Sequence, residues 1–169
     1  MYIRPGHAVL DVGCGAGDDL RSLAQLVGPT GRVVGVDNSE TMLQEARERT
    51  RGLPVECHTG DAHHLDFAAD SFDSCRAERV LQHVEDPFQA FAELVRVVRP
   101  GGRVVVADPD YGTVMVDATH RALTQHILAF PCEMTRNGWI GRQLSGLAQQ
   151  CGLVDVTIHG TTPCSRIGS

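Results

Sequence analysis

The stretch Val9-Leu10-Asp11-Val12-Gly13-Cys14-Gly15-Ala16-Gly17-Asp18 constrains the chain most, because it runs from an apolar strand into three alternating glycines and then into a helical pattern. Glycine adopts φ > 0 at no steric cost, and its missing Cβ lets backbone approach a ligand closely. Strand, glycine turn and helix in that order fit the ligand-binding edge of an α/β sheet. The same spacing also serves a plain strand-to-helix turn, so the rest of the chain has to decide.

The rest of the chain continues the alternation. Short β-branched runs at 8–12, 32–36, 55–58, 74–76, 103–107 and 154–159 read as six strands separated by helical patterns, which predicts βαβ units and a mostly parallel sheet covered on both faces. One helix begins near Asp18-Asp19 and runs to Gly28-Pro29. A second starts at Ser39, a natural N-cap, with Met42, Leu43 and Ala46 on one face and Glu45 paired to Arg49. A third opens at Asp86-Pro87 and stops at Pro100-Gly101-Gly102. Residues 110–138 break the rhythm with a helical stretch around Arg121 to Phe130, and they read as an insertion over the active site. A last helix, Trp139 to Gln150, precedes the sixth strand, with Trp139 expected in its core.

At 169 residues, 42% hydrophobic and 21% charged, the chain suffices for a single domain over 1–169 with its own core. No apolar run approaches the roughly 18 residues of a membrane helix, and the first residues lack a secretory apolar region, so a cytoplasmic protein without a membrane span is expected. A net charge of -6 argues against a nucleic acid partner held through its phosphates and favours a small molecule. The six cysteines (Cys14, Cys57, Cys75, Cys132, Cys151 and Cys164) are widely spaced without a C-x-x-C, so no zinc site or redox pair is signalled.

Asp37 follows Val33-Val34-Gly35-Val36, about 20 residues past the glycines, where a ribose diol would meet a carboxylate acceptor. Two cofactors share that geometry, a dinucleotide and S-adenosylmethionine. A dinucleotide fingerprint wants a third glycine where Asp18 stands, and an acid repels pyrophosphate. Asp11 and Asp18 suit a cationic ligand instead, such as one carrying a sulfonium and an ammonium.

Residues 10–17 resemble the first motif of class I S-adenosylmethionine-dependent methyltransferases, and three later segments match in order. Gly35-Val36-Asp37-Asn38-Ser39 with Met42-Leu43 resembles the ribose motif, and Gly60-Asp61-Ala62 through Ser71-Phe72-Asp73 the adenine motif. Arg79 to Val84 and Arg96 to Gly102 resemble the motifs of the fourth and fifth strands. The resemblance implies a Rossmann-like three-layer α/β fold, a small-molecule acceptor of quinone or natural-product type, and S-adenosylhomocysteine as product. It assigns Asp37 to the ribose hydroxyls, Gly13, Cys14 and Gly15 to the methionine part, Asp61 and Ala62 to adenine, and Met42 to packing on adenine or ribose. Asp11, Gly17, Asn38, Gly60, Ala77 and Arg79 complete the implied cofactor set, with no metal.

Methyl transfer from a sulfonium is an in-line displacement, so alignment and water exclusion dominate, and a base is needed only where the acceptor loses a proton. His83, after the fourth strand, is the candidate base; packing or capping of the following helix is its alternative. Arg76 and Arg79 are expected to orient acids such as Glu78, or the substrate. Asp110-Tyr111 is read as a loop anchored by its aromatic, with contact to the acceptor as its alternative, and His63-His64 as a solvated loop. Relative to the resembled family, a longer N-terminal segment and a seventh, antiparallel strand are not seen, and the chain reads as truncated at both ends. Either the sixth strand pairs with the fifth, or the fifth keeps an open edge that invites self-association. A cofactor-binding module without turnover is the second reading, and an NAD-dependent oxidoreductase the third.

Overall fold

A computed structural model describes residues 1–161, so Cys164 lies outside the described residues. Strands β1 (Ala8–Val12), β2 (Arg32–Asp37), β3 (Val55–Thr59), β4 (Phe72–Glu78) and β5 (Val98–Ala107) pair in parallel, in the order β3-β2-β1-β4-β5. The strand order turns around between β1 and β4, which opens a crevice at their carboxyl ends. Helices α1 (Leu20–Val27), α2 (Glu40–Arg49), α3 (Pro87–Arg96), α4 (Arg121–Met134) and α5 (Ile140–Gln150) follow in turn, with one 3-10 turn at Tyr111–Thr113.

Alternation along β1 divides the core between two faces. Leu10 and Val12 join Val34, Val36, Phe72 and Leu94 on the α3 side, whereas Val9 joins Leu20, Leu23, Val27, Val33 and Leu43 on the α1 and α2 side. Burying each such side chain contributes about 1.5–3 kcal/mol, which fixes the strand register. The helix starts are set locally. Ser39 accepts a hydrogen bond from the Met42 N–H at 3.4 Å, and Asp86 accepts one from the Gln89 N–H at 3.0 Å with Pro87 in the first turn. The Glu45 to Arg49 pair forms as its spacing predicts.

Several expectations need correction. Residues 154–159 form no strand: Asp155 sits at φ +54°, which breaks an extended backbone, and Val154 is 83% exposed. The sheet therefore has five strands, and the outer edge of β5 pairs with no strand among the described residues. That strand begins at Val98 rather than Arg103. Val98 registers with Phe72, and Gly101 at φ +79° carries the chain through the irregularity that follows. Cover is also uneven, since α1 and α2 leave the β5 end of their face open and Val105 is 38% exposed. Trp139 is not core: it precedes α5 half exposed beneath the Arg142 guanidinium, 4.4 Å from its ring centre, and Ile140 fills the core instead. No helix among the described residues is long and apolar enough to cross a membrane.

Candidate functional site

A pocket of about 300 Å³ opens at the carboxyl ends of β1 and β2, in the crevice where the strand order turns. Its wall includes Gly13, Asp37, Asn38, Gly60, Asp61 and Ala62 from the turns after β1, β2 and β3, and Arg79 and His83 from the turn after β4. The glycines there have steric reasons. A Cβ on Gly13, at φ +70°, would stand 2.3 Å from Val80 Cγ2, and one on Gly60 would stand 2.9 Å from Val36 Cγ1.

Two carboxylates face this cavity, each oriented by backbone. Asp37 ends β2; its Oδ2 accepts the Gly15 N–H at 2.8 Å and its Oδ1 the Ser39 N–H at 2.9 Å. The glycine turn thus aims the acid, and each oxygen keeps a lone pair for a further donor. Asp61 follows β3, and its Oδ1 accepts both the backbone N–H of His63 at 2.9 Å and the His63 ring Nδ1 at 2.6 Å. The other ring nitrogen, Nε2, accepts the Asp86 N–H at 3.1 Å, so the ring hydrogen resides on Nδ1. The His63 N–H, then its ring, hold the Asp61 carboxyl below its ordinary value. His63 is therefore a bridge between the turn after β3 and the start of α3, which corrects its reading as a solvated loop residue.

The remaining residues implied by the resemblance do not line the pocket. Asp11 is buried beside Arg76 (3.5 Å), and burial, opposed by that guanidinium, pushes its carboxyl up to about 7. Arg76 also meets Asp19 at 2.7 Å and pairs with Glu78, as the sequence suggested for that acid. The Cys14 thiol packs with Leu20 and Val33, pushed up to about 12 by burial, and the Gly13 and Cys14 N–H groups both donate to the Val36 carbonyl. Gly15 lies beside the pocket in open space, Gly17 packs on Ala46 of α2, Ala77 is core, and Met42 is half exposed on α2.

Sequence reasoning missed what holds the His83 turn. Asp108, at the end of β5, accepts the N–H groups of Leu81 and Gln82, each at 3.2 Å; burial pushes its carboxyl up to about 6. From the opposite side, Asn137 Nδ2 donates to the Leu81 and Val84 carbonyls, both at 2.8 Å, and its N–H donates to the Gln82 carbonyl. Its neighbour Arg136 thereby reaches the pocket wall. The only sequence signal was the turn-forming Asn137-Gly138, which locates a bend and not its partner. The loop at 110–111, read as anchored by its aromatic, is tied down through Asp110, whose carboxylate accepts from Arg142 at 2.6 and 2.8 Å.

The family described as a methyltransferase domain matches residues 3–150. The chain belongs to that family. Among similar proteins, an uncharacterized 37.1 kDa protein in transposon TN4556 of Streptomyces fradiae is 48% identical over 168 residues, 96% of this chain and 48% of that one. A demethylmenaquinone methyltransferase of Staphylococcus aureus is 41% identical over 117 residues, 69% of this chain and 48% of that one. The arsenic(III) S-adenosylmethionine methyltransferase of Chlamydomonas reinhardtii superposes with a TM-score of 0.69 at 26% identity, over 88% of this chain and 52% of that one. The chain spans about half the length of the curated relatives it matches.

Proposed function

We propose that the chain binds S-adenosylmethionine in this pocket and passes its methyl group to a small-molecule acceptor of quinone or natural-product type. One observation carries the reading: Asp37 and Asp61, both acceptor-only carboxylates oriented by backbone N–H groups, face a single cavity beside a glycine turn. The group fits that arrangement. Asp37 would hold the ribose hydroxyls, and Asp61 would take the adenine amino group. Asp18 stands where a dinucleotide fingerprint wants a third glycine, which disfavours a dinucleotide, although its charge is met by Arg49, as those of Asp11 and Asp19 are by Arg76. A menaquinone-type acceptor in one relative supports the quinone class.

The cofactor, when bound, supplies an electrophilic methyl group on a sulfonium. The chain's part is to align the two reactants and exclude water, worth several kcal/mol when geometry approaches that of attack. Gly13 lets Val80 close one wall. His83, exposed on the rim with its N–H on the Val80 carbonyl, would take a proton from an acceptor hydroxyl.

Calorimetry with S-adenosylhomocysteine against NAD tests the reading. Tight binding of the former alone is expected, and Asp37→Ala should weaken it by about 1–3 kcal/mol, the scale of a lost charged hydrogen-bond partner. Preference for NAD would end the methyltransferase reading. Unchanged affinity in the variant would remove Asp37 from the ribose.

A further inference from the structure

Most of the chain's arginines reach a carboxylate, including Arg32, Arg47, Arg76, Arg96 and Arg142. Arg79 and Arg136 do not, yet both line the same pocket, contributed by segments 57 residues apart in sequence. Among the described residues neither guanidinium lies within 4.0 Å of a carboxylate; Glu85 shares the rim but stays beyond that distance from both.

Their placement is built into the fold. Arg79 stands at φ +56°, a conformation that L side chains rarely adopt, and it is pinned there from both sides. Its N–H donates to the Ala107 carbonyl at 2.8 Å, and its carbonyl accepts Gln82 Nε2 at 3.2 Å. Arg136 is carried to the pocket by Asn137, whose three hydrogen bonds clamp the turn that begins at Arg79. Two unpaired cations beside a cavity raise the potential there and call for an anion. Asp37 and Asp61 line the same pocket but do not supply it, because neither carboxylate comes within 4.0 Å of either guanidinium.

We infer that Arg79 and Arg136 form an anion subsite on the acceptor side of the pocket, selecting acceptors that carry an anionic oxygen of carboxylate or phenolate type. The inference rests on the methyltransferase reading and names the acceptor class for it. Guanidinium forks match the two oxygens of a carboxylate, and their charge favours the deprotonated, more nucleophilic form of a phenolic hydroxyl beside them. A cofactor carrying a sulfonium makes the need for a counter-charge greater.

The test titrates benzoate and benzamide into the chain, with and without saturating S-adenosylhomocysteine, and repeats both with Arg79→Gln and Arg136→Gln after circular dichroism confirms folding. Benzoate should bind about tenfold more tightly than benzamide, and each substitution should erase most of that preference. Equal binding of the two probes, or a preference that survives both substitutions, would overturn the subsite. The cofactor's own carboxylate is the competing source of the anion. It would show as a larger loss of affinity for S-adenosylhomocysteine than for methylthioadenosine, which lacks that carboxylate, and would also overturn the assignment. Should S-adenosylhomocysteine not bind the parent chain, the methyltransferase reading fails, and the benzoate preference measured without it still decides the subsite.

Discussion

Leu23 on α1 and Leu123 on α4 are both helical leucines, yet the first is 6% exposed and the second 59%. The difference extends to the regions around them. From β1 through α3 each element buries a face against the sheet, and the glycine turn, Asp37 and Asp61 are positioned by that packing. Helix α4 buries no residue; Leu123, Ile127, Phe130 and Met134, spaced 4, 3 and 4 residues apart, form one apolar stripe that faces outward. Burial holds the side from β1 through α3, whereas a few polar anchors hold the segment between β5 and α5: Asn137, the Asp110 to Arg142 pair, and the contact of α4 with the 3-10 turn.

The strongest way to break that contrast is on the packed side. Gly13→Val places a β-branched residue at φ +70° with its Cβ 2.3 Å from Val80 Cγ2. The left-handed backbone alone costs about 1–2 kcal/mol. With the clash added, unfolding free energy should fall by about 3 kcal/mol or more, with S-adenosylhomocysteine binding abolished. A stable variant that still binds would mean that the glycine turn does not shape the pocket.

Asn137→Ala addresses the joint between the two regions. It removes two hydrogen bonds and leaves the Leu81 and Val84 carbonyls without those partners, so a loss of about 2 kcal/mol is expected. Amide exchange should rise in residues 79–84 and not in β1 or β2. Faster exchange spread evenly over the sheet would mean that the clamp belongs to the core and not to the joint.

These cases show what a sequence can disclose. The glycine turn, the strand alternation and the Ser39 and Asp86 caps were legible because each follows from local geometry, either a φ requirement, a period of two, or a side chain reaching three residues ahead. Residues 154–159 misled because β-branched composition describes what suits a pleated surface, not whether a neighbouring strand is present. That Asp37 and Asp61 follow neighbouring strands and line one pocket agrees with the order of motifs in the resemblance, which rests on turns of fixed length. Asn137 over Leu81 and Val84 joins positions more than fifty residues apart, as does the pocket that Arg79 and Arg136 both line, and no local pattern encodes such a pairing.

A third measurement asks how far burial governs the packed side electrostatically. Burial raises the Asp11 carboxyl to about 7 from an ordinary 3.8. The folded state therefore holds that proton more tightly than the unfolded chain. The stability it contributes is complete below about pH 4 and is lost as pH rises through about 7. Asp108, raised to about 6, acts in the same direction over a narrower window. The parent chain should lose stability between about pH 4 and pH 7, by at most about 1.4 kcal/mol per pH unit for each proton released. Asp11→Asn should flatten that slope. An identical slope in thermal melts of the variant would show that Arg76 keeps Asp11 ionised throughout.

The smallest expected effect lies on α4 and makes the contrast quantitative. Leu23→Ala removes a side chain from the cluster with Leu20, Val27 and Val33, and should cost about 2–5 kcal/mol through lost transfer energy and the cavity left behind. Leu123→Gln changes a side chain that stands mostly in solvent on a helix without buried residues. Leucine and glutamine differ little in helix propensity, so the chain's stability should change by less than about 0.5 kcal/mol. The Leu123, Ile127, Phe130 and Met134 stripe can be replaced stepwise by glutamine, with urea midpoints compared at two protein concentrations a hundredfold apart. Small shifts that do not depend on concentration would show that the isolated chain leaves the stripe in water. A cost approaching that of Leu23→Ala at the higher concentration alone would place a second copy over α4, and the same cost at both concentrations would mean that α4 folds back onto its own chain.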